Sequence, residues 1–222
     1  MAIFKELLDE LKQVTSGKTL DALLPPFLFV IFNALFELNI AAIVAVSVAF
    51  IIVLFRVLTK KKSVYAFFGF FTVVFAASLA YIAQNATNYF LPGIIGSFVL
   101  FIVALISLIF RKPMAAYASH LTRGWQIEWF WRKDVIPAYM EVTVLWALFF
   151  LFRLVIQGVL YLQDDVVRLV WMNTLLGFPV TILVLITSYV YGIWRLRKLG
   201  GPGVDEFVEG KNPPWKGQTR GF

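Results

Sequence analysis

This sequence predicts an all-α fold: a polytopic membrane helix bundle of six transmembrane helices with both termini in the cytoplasm. Three observations predict it. Of the 222 residues, 60% are hydrophobic and 15% charged, with a mean hydropathy of +0.82. Apolar runs long enough to cross a bilayer recur along the chain, more than one soluble core of this size buries. All of the 20 Lys and Arg except Arg153 and Arg168 fall on one side of the spans, the bias that marks the cytoplasmic face. The net charge of +7 therefore reports orientation, and nucleic acid is not the expected partner.

Residues 2–15 read as an amphipathic helix, with Ile3, Phe4, Leu7, Leu8, Leu11 and Val14 on one face and Lys5, Glu6, Asp9, Glu10 and Lys12 on the other. Such a helix lies on a membrane surface or on a partner, and residues 1–18 form a segment apart from the transmembrane domain at 19–195. It lacks the continuous apolar core and small-residue cleavage site of a signal peptide. The first span opens at Pro25-Pro26 and reaches Glu37. From Pro25 to Asn39 a helix covers about 22 Å against a hydrocarbon core of ~30 Å. Either residues 19–24 add a kinked turn, or the segment dips in and returns. The remaining spans are expected at 40–58, 64–83, 92–110, 136–161 and 169–193.

Residues 111–134 are too polar to cross. Trp125, Trp129, Phe130 and Trp131 beside Arg123, Arg132 and Lys133 suit the headgroup layer, where aromatic rings sit at the interface and basic groups meet anionic lipid. Trp125, Trp129, Trp131, Arg132 and Lys133 are thus the expected lipid contacts of a surface-lying connector. Residues 196–222, with Gly201-Pro202-Gly203 and Pro213-Pro214 but no periodicity, predict an extended cytoplasmic tail.

Arg153 interrupts the apolar run 142–161. A charge near mid-membrane costs at least about 2.5 kcal/mol on insertion scales, so it faces a partner or a wet cavity. It lies 17 residues beyond Ile136, about 25 Å along its helix and in the outer half of the bilayer. Glu37, at similar depth, is the expected counter-ion, and Gln157, one turn on, shares the face of Arg153. The expected use of this Arg153, Glu37 and Gln157 cluster is an interhelical clamp, with an anion-binding arginine as the second reading. Glu141, near the inner end of its span, is expected to pair with a nearby Lys or Arg. Asn33 and Asn173 are expected to hydrogen-bond between helices. Asn85-Ala86-Thr87 fits a glycosylation sequon.

The order of several clusters resembles the DUF3159 family of small bacterial integral membrane proteins without established function. They are Phe90-Leu91-Pro92-Gly93-Ile94, Arg111-Lys112-Pro113, Trp131-Arg132-Lys133, Ala138-Tyr139, Thr143, Leu145-Trp146, Arg153, Gln157, Leu160-Tyr161 and Gly177-Phe178-Pro179. The likeness covers about residues 25–195 and is densest in the fifth span. It implies a six-span fold in a bacterial cytoplasmic membrane and no particular chemistry.

The chain has no cysteine and one histidine, His120, so disulfides, thiolate nucleophiles and His-rich metal sites are not expected. A Gly-rich phosphate loop, a Ser-His-Asp set and an HExxH pair are all missing from the sequence, and an enzyme is the least favoured class. No cofactor is expected beyond lipid, with a bound pigment or quinone left open. The expected function is a non-catalytic accessory, scaffold or assembly subunit. Its partners would be lipids and other membrane subunits, met through the N-terminal helix, the apolar faces and the tail. The alternative is a small transporter or channel built on the Arg153 and Glu37 site.

Overall fold

A computed structural model of the chain describes residues 18–59, 64–219 and 221–222. The helix expected at residues 2–15 and the basic run Lys60–Lys62 lie outside these. Every regular element among the described residues is helical: α1 (Lys18–Leu35), α2 (Leu38–Leu58), α3 (Val64–Ala83), a 3-10 turn (Ala86–Phe90), α4 (Leu91–Ile109), α5 (Met114–Arg123), α6 (Ile127–Phe130), α7 (Ile136–Leu162), α8 (Val166–Leu199) and α9 (Val204–Val208).

Among the described residues, five segments are long and apolar enough to cross a membrane: Leu38–Leu58, Ala66–Ala83, Ala86–Ile109, Ile136–Leu162 and Val166–Leu199. This protein is therefore a helical membrane protein. The expected first span differs, because its apolar part is only Leu24–Leu35. The backbone is helical from Lys18 through both prolines, so residues 19–24 add turns ahead of the apolar part. Neither Pro25 nor Pro26 has an N–H for the carbonyl one turn back, so two rungs of the α1 ladder are missing.

The chain divides into two compact units, Met1–Gly96 with Arg153–Val180, and Ser97–Phe152 with Thr181–Phe222. In the first, small residues let helices approach closely: Ala41, Ala45 and Ala49 of α2 and Ala76, Ala77 and Ala80 of α3 are all buried. Phe29 stacks on Tyr89 at 4.1 Å. The loop end of this unit is tied by side chains. Asn85 Oδ1 accepts from the Thr87 amide at 2.8 Å, and Asn85 Nδ2 donates to Asp164 Oδ1 at 2.8 Å. The Tyr161 hydroxyl donates to Asn88 Oδ1 at 2.6 Å. Hydrogen bonds from Asn85 and Thr87 hold the Asp164 carboxyl below its usual range.

The second unit is built on aromatic rings. Trp129, Phe130 and Tyr139 are fully buried and meet edge to face at 5.0–6.1 Å. Pro113 brings no capping side chain to α5, and two of the helix's first amides bond elsewhere: Met114 N–H to Ser107 Oγ at 3.0 Å and Ala115 N–H to Thr143 Oγ1 at 3.2 Å. Gly124, at φ 70°, ends the helix in the left-handed conformation that glycine adopts without strain. His120 Nδ1 lies 2.6 Å from the Trp125 carbonyl oxygen, a structural contact.

The segment expected as an extended tail at 196–222 differs in two ways. α8 continues to Leu199, and the segment beyond it is held by its own chain. Phe222 stacks on Tyr139 at 4.3 Å and 9°. Its ring lies so close to Gly192 that a Cβ there would sit 2.3 Å away. Gly221 N–H donates to the Tyr189 hydroxyl oxygen at 3.0 Å, and Arg123 Nε donates to the Phe222 carbonyl oxygen at 3.1 Å.

Glu206 gathers the tail into a loop by accepting the amides of Lys216 at 2.8 Å, Gly203 at 2.9 Å and Gly217 at 3.0 Å. Those amides hold its carboxyl below the usual range. A carboxylate with a lowered folded pKa contributes stability above the ordinary glutamate value, about 4.3, and that contribution is lost as pH falls through the lowered value. Protection of the residue 203–217 amides, measured against the intrinsic exchange rate at the same pH, is therefore expected to fall as pH drops below the ordinary glutamate value, with Glu206→Gln showing the lower protection already at pH 7. Equal protection of wild type and variant at pH 7 would count against the clasp.

Candidate functional site

Arg153 and Gln157 stand one turn apart on α7, and both reach Asn173 of α8. Arg153 Nη2 donates to Asn173 Oδ1 at 3.3 Å, and Gln157 Nε2 donates to the same oxygen at 3.0 Å. The α7 side of the expected cluster is thus assembled, but its acid is not. Glu37 occupies the N-cap position of α2, makes no side-chain cap bond and is exposed. Similar depth along two helices does not place two residues on facing sides, and a carboxylate at a helix N-terminus is already favourably placed. Asn173, expected only as an interhelical hydrogen-bonding residue, takes the place expected of Glu37. Asn33 is half-buried on α1 and is not part of this network among the described residues.

Beside the cluster lies a cavity of about 370 Å³. Its wall is interrupted helix: Pro25-Pro26 of α1, and Tyr89-Phe90 of the 3-10 turn followed by Pro92-Gly93 of α4. Ala49, Ile52 and Arg56 of α2 and Ala66, Gly69 and Phe70 of α3 complete much of the rest. Arg153 and Asn173 supply the polar part of the α7 and α8 side. Two donors in this wall are buried without a hydrogen-bond partner, Arg153 Nε and the Tyr89 hydroxyl. No described wall residue is acidic. An unmet buried donor costs about 1–3 kcal/mol, more when charged, and both of these belong to residues that line the one cavity.

The sequence did not single out Tyr89 or assign Arg56 more than a place in the charge count. The signal available for Tyr89 was its position just before the Pro92-Gly93 break, where backbone and side chains of a discontinuous helix border a cavity.

Glu141 is in the second unit and is separate from this site. Its carboxylate accepts from Arg195 Nε at 2.7 Å and Nη2 at 2.8 Å, and from the Tyr191 hydroxyl at 2.6 Å. That two-pronged grip is the pairing expected for a helix-start acid.

The expected lipid-interface set is only partly surface. Trp129 is corrected: its indole is fully buried, and Nε1 donates to the Pro202 carbonyl oxygen at 3.0 Å. Aromatic composition is the same for a lipid belt and for a ring cluster, and here the rings find one another. Trp125 and Trp131 are half-buried, and Lys133 is exposed. Arg132 is bound to Asp134 at 2.7 Å and lies over the rings of Trp215 and Phe207 at 5.3 and 5.8 Å. Among the described residues, no three His, Cys, Asp or Glu are grouped to hold a metal ion.

Comparison with known families matches residues 16–197 to one described as protein of unknown function (DUF3159). Neither a curated protein nor a solved structure matches.

Proposed function

We propose, for a chain that belongs to the DUF3159 family, the role of a small membrane-embedded carrier that takes an anionic ligand into the cavity beside Arg153. The observation that carries this role is the pair of partnerless donors, Arg153 Nε and the Tyr89 hydroxyl, in one cavity wall. A guanidinium away from water is expensive unless an anion or several acceptors meet it. Asn173 offers it a single neutral oxygen, at 3.3 Å. Every described wall residue of the cavity falls inside the matched segment.

Of the four features that favour an accessory subunit, the apolar helix faces stay exposed, and two others are engaged within the chain. The tail and the aromatic connector both contact this chain's own side chains, and the amphipathic helix is outside the described residues. The proposed setting is a bacterial cytoplasmic membrane with both termini inside, on the asymmetry of Lys and Arg.

Thermal unfolding of the purified protein in a nonionic detergent tests the role. A ligand at a hundredfold excess over Kd stabilises by about 2.7 kcal/mol, so hexanoate or hexyl phosphate at millimolar concentration is expected to raise the transition of wild type. Arg153→Gln is expected to abolish the rise. A shift of equal size in the variant, or none with either anion in wild type, would overturn the proposal.

A further inference from the structure

We infer that the ligand is a single-chain anionic amphiphile, its charged head against Arg153 and Tyr89 and its apolar chain along the α2 and α3 wall; this rests on the anion site proposed above. The wall chemistry divides in that way over Ala49 and Ile52 of α2 and Ala66, Gly69 and Phe70 of α3, with Arg56 of α2 the charged exception. Besides Arg153, Asn173 and Tyr89, the polar wall residues are Arg56 and Thr72. The Thr72 hydroxyl is occupied by the Phe68 carbonyl oxygen at 2.8 Å. The remaining surface is Ala, Ile, Val, Phe, Pro and Gly. A small hydrated anion exchanges a full shell of water for its site, and two donors beside apolar walls replace little of that shell. An alkyl chain suits those walls.

Size points to one chain. The 370 Å³ volume lies near the lower end of the range of about 300–1,000 Å³ for small-molecule sites, too small for a diacyl lipid to enter whole. Room for the chain is visible at Gly69, where an added Cβ would have nothing within 4 Å. At Gly93, beside the polar end, an added Cβ would meet only Asn173 Oδ1, at 3.9 Å. The bare backbone of α3 thus borders open space, while the donors stand on α7 and the 3-10 turn. Carboxylate and phosphate heads share the required chemistry, anionic oxygens facing N–H and O–H donors.

Native mass spectrometry of the intact protein, released from a nonionic detergent, separates the alternatives. The probes are dodecanoate, dodecyl phosphate, 1-dodecanol, acetate and inorganic phosphate at equal concentration. Wild type is expected to retain one copy of dodecanoate, dodecyl phosphate or both, the stronger head identifying the source. Dodecanol, acetate and inorganic phosphate should be retained at least about tenfold less, the factor set by losing a charge-assisted hydrogen bond or the chain contact.

Gly69→Leu, which fills the chain end and leaves Arg153 untouched, should lower retention of the anionic C12 probe at least about tenfold. Arg153→Gln should do the same. Tyr89→Phe, which removes one oxygen, gives a milder loss and keeps the head-group arm informative if Arg153→Gln fails to fold. Retention of acetate or inorganic phosphate equal to the C12 anions would overturn the amphiphile and leave the anion site standing, as would unchanged C12 retention in Gly69→Leu. Dodecanol retained as well as dodecanoate, or no anion retained at all, would overturn both.

Discussion

Trp129→Ala is expected to cost about 3–5 kcal/mol of stability, the usual loss for a large buried aromatic, and to free the C-terminal tail at the same time. The indole is fully buried, meets the rings of Phe130, Tyr139 and Trp125, and donates to the Pro202 carbonyl oxygen. Its removal opens a void in the ring cluster and unfastens the point where the tail begins. Trp129→Phe keeps most of the ring area and loses the N–H, so its cost should be nearer 1 kcal/mol. Thermal unfolding and limited proteolysis of residues 200–222 measure both effects. A Trp129→Ala protein with wild-type stability and an intact tail would show that the connector rests on lipid.

The second large effect falls on Asn173. Interhelical hydrogen bonds within membranes are worth about 0.6 kcal/mol on average, but here one oxygen serves two donors, one of them charged. Asn173→Leu removes both acceptances and leaves Arg153 with less than before, so a loss of about 2–3 kcal/mol is expected. Asn173→Asp separates stability from binding. It supplies the carboxylate that Glu37 does not, so thermal stability should hold or rise, while retention of an anionic C12 probe should fall at least about tenfold because the ligand meets a resident negative charge. Dodecanoate bound equally well by Asn173→Asp and wild type would mean that Arg153 does not hold the head group.

Helices were legible where apolar runs have sharp ends. The third span was expected at 64–83, the bounds the helix has, and the fifth ends within one residue of Leu162. Such runs are bordered by Lys, Pro or Asp, and burial in lipid needs no partner to specify it. The first span was harder to place, since its apolar part is 12 residues long (Leu24–Leu35) and length alone does not say how a proline-bearing helix begins. The site was half legible. The sequence marks Arg153, Gln157 and Asn173 as polar groups that must be met within the bundle, and they meet. Glu37 is expected there from depth alone, and depth carries no information about which way a helix is turned. Tyr89 and the cavity depend on six separate stretches of chain packing together, a relation that no local period encodes.

The bond from Asn85 to Asp164 also bears on how topology is mapped. Attachment of a glycan uses the Asn85 side-chain nitrogen, and that nitrogen is engaged by Asp164 Oδ1, with the neighbouring Thr87 buried. The natural sequon at 85–87 should therefore resist transfer to the folded protein even when its loop faces the lumen. Its silence is no sign of an inward loop. Acceptor sites for such mapping belong elsewhere, and Asp164→Ala should uncover the one already present.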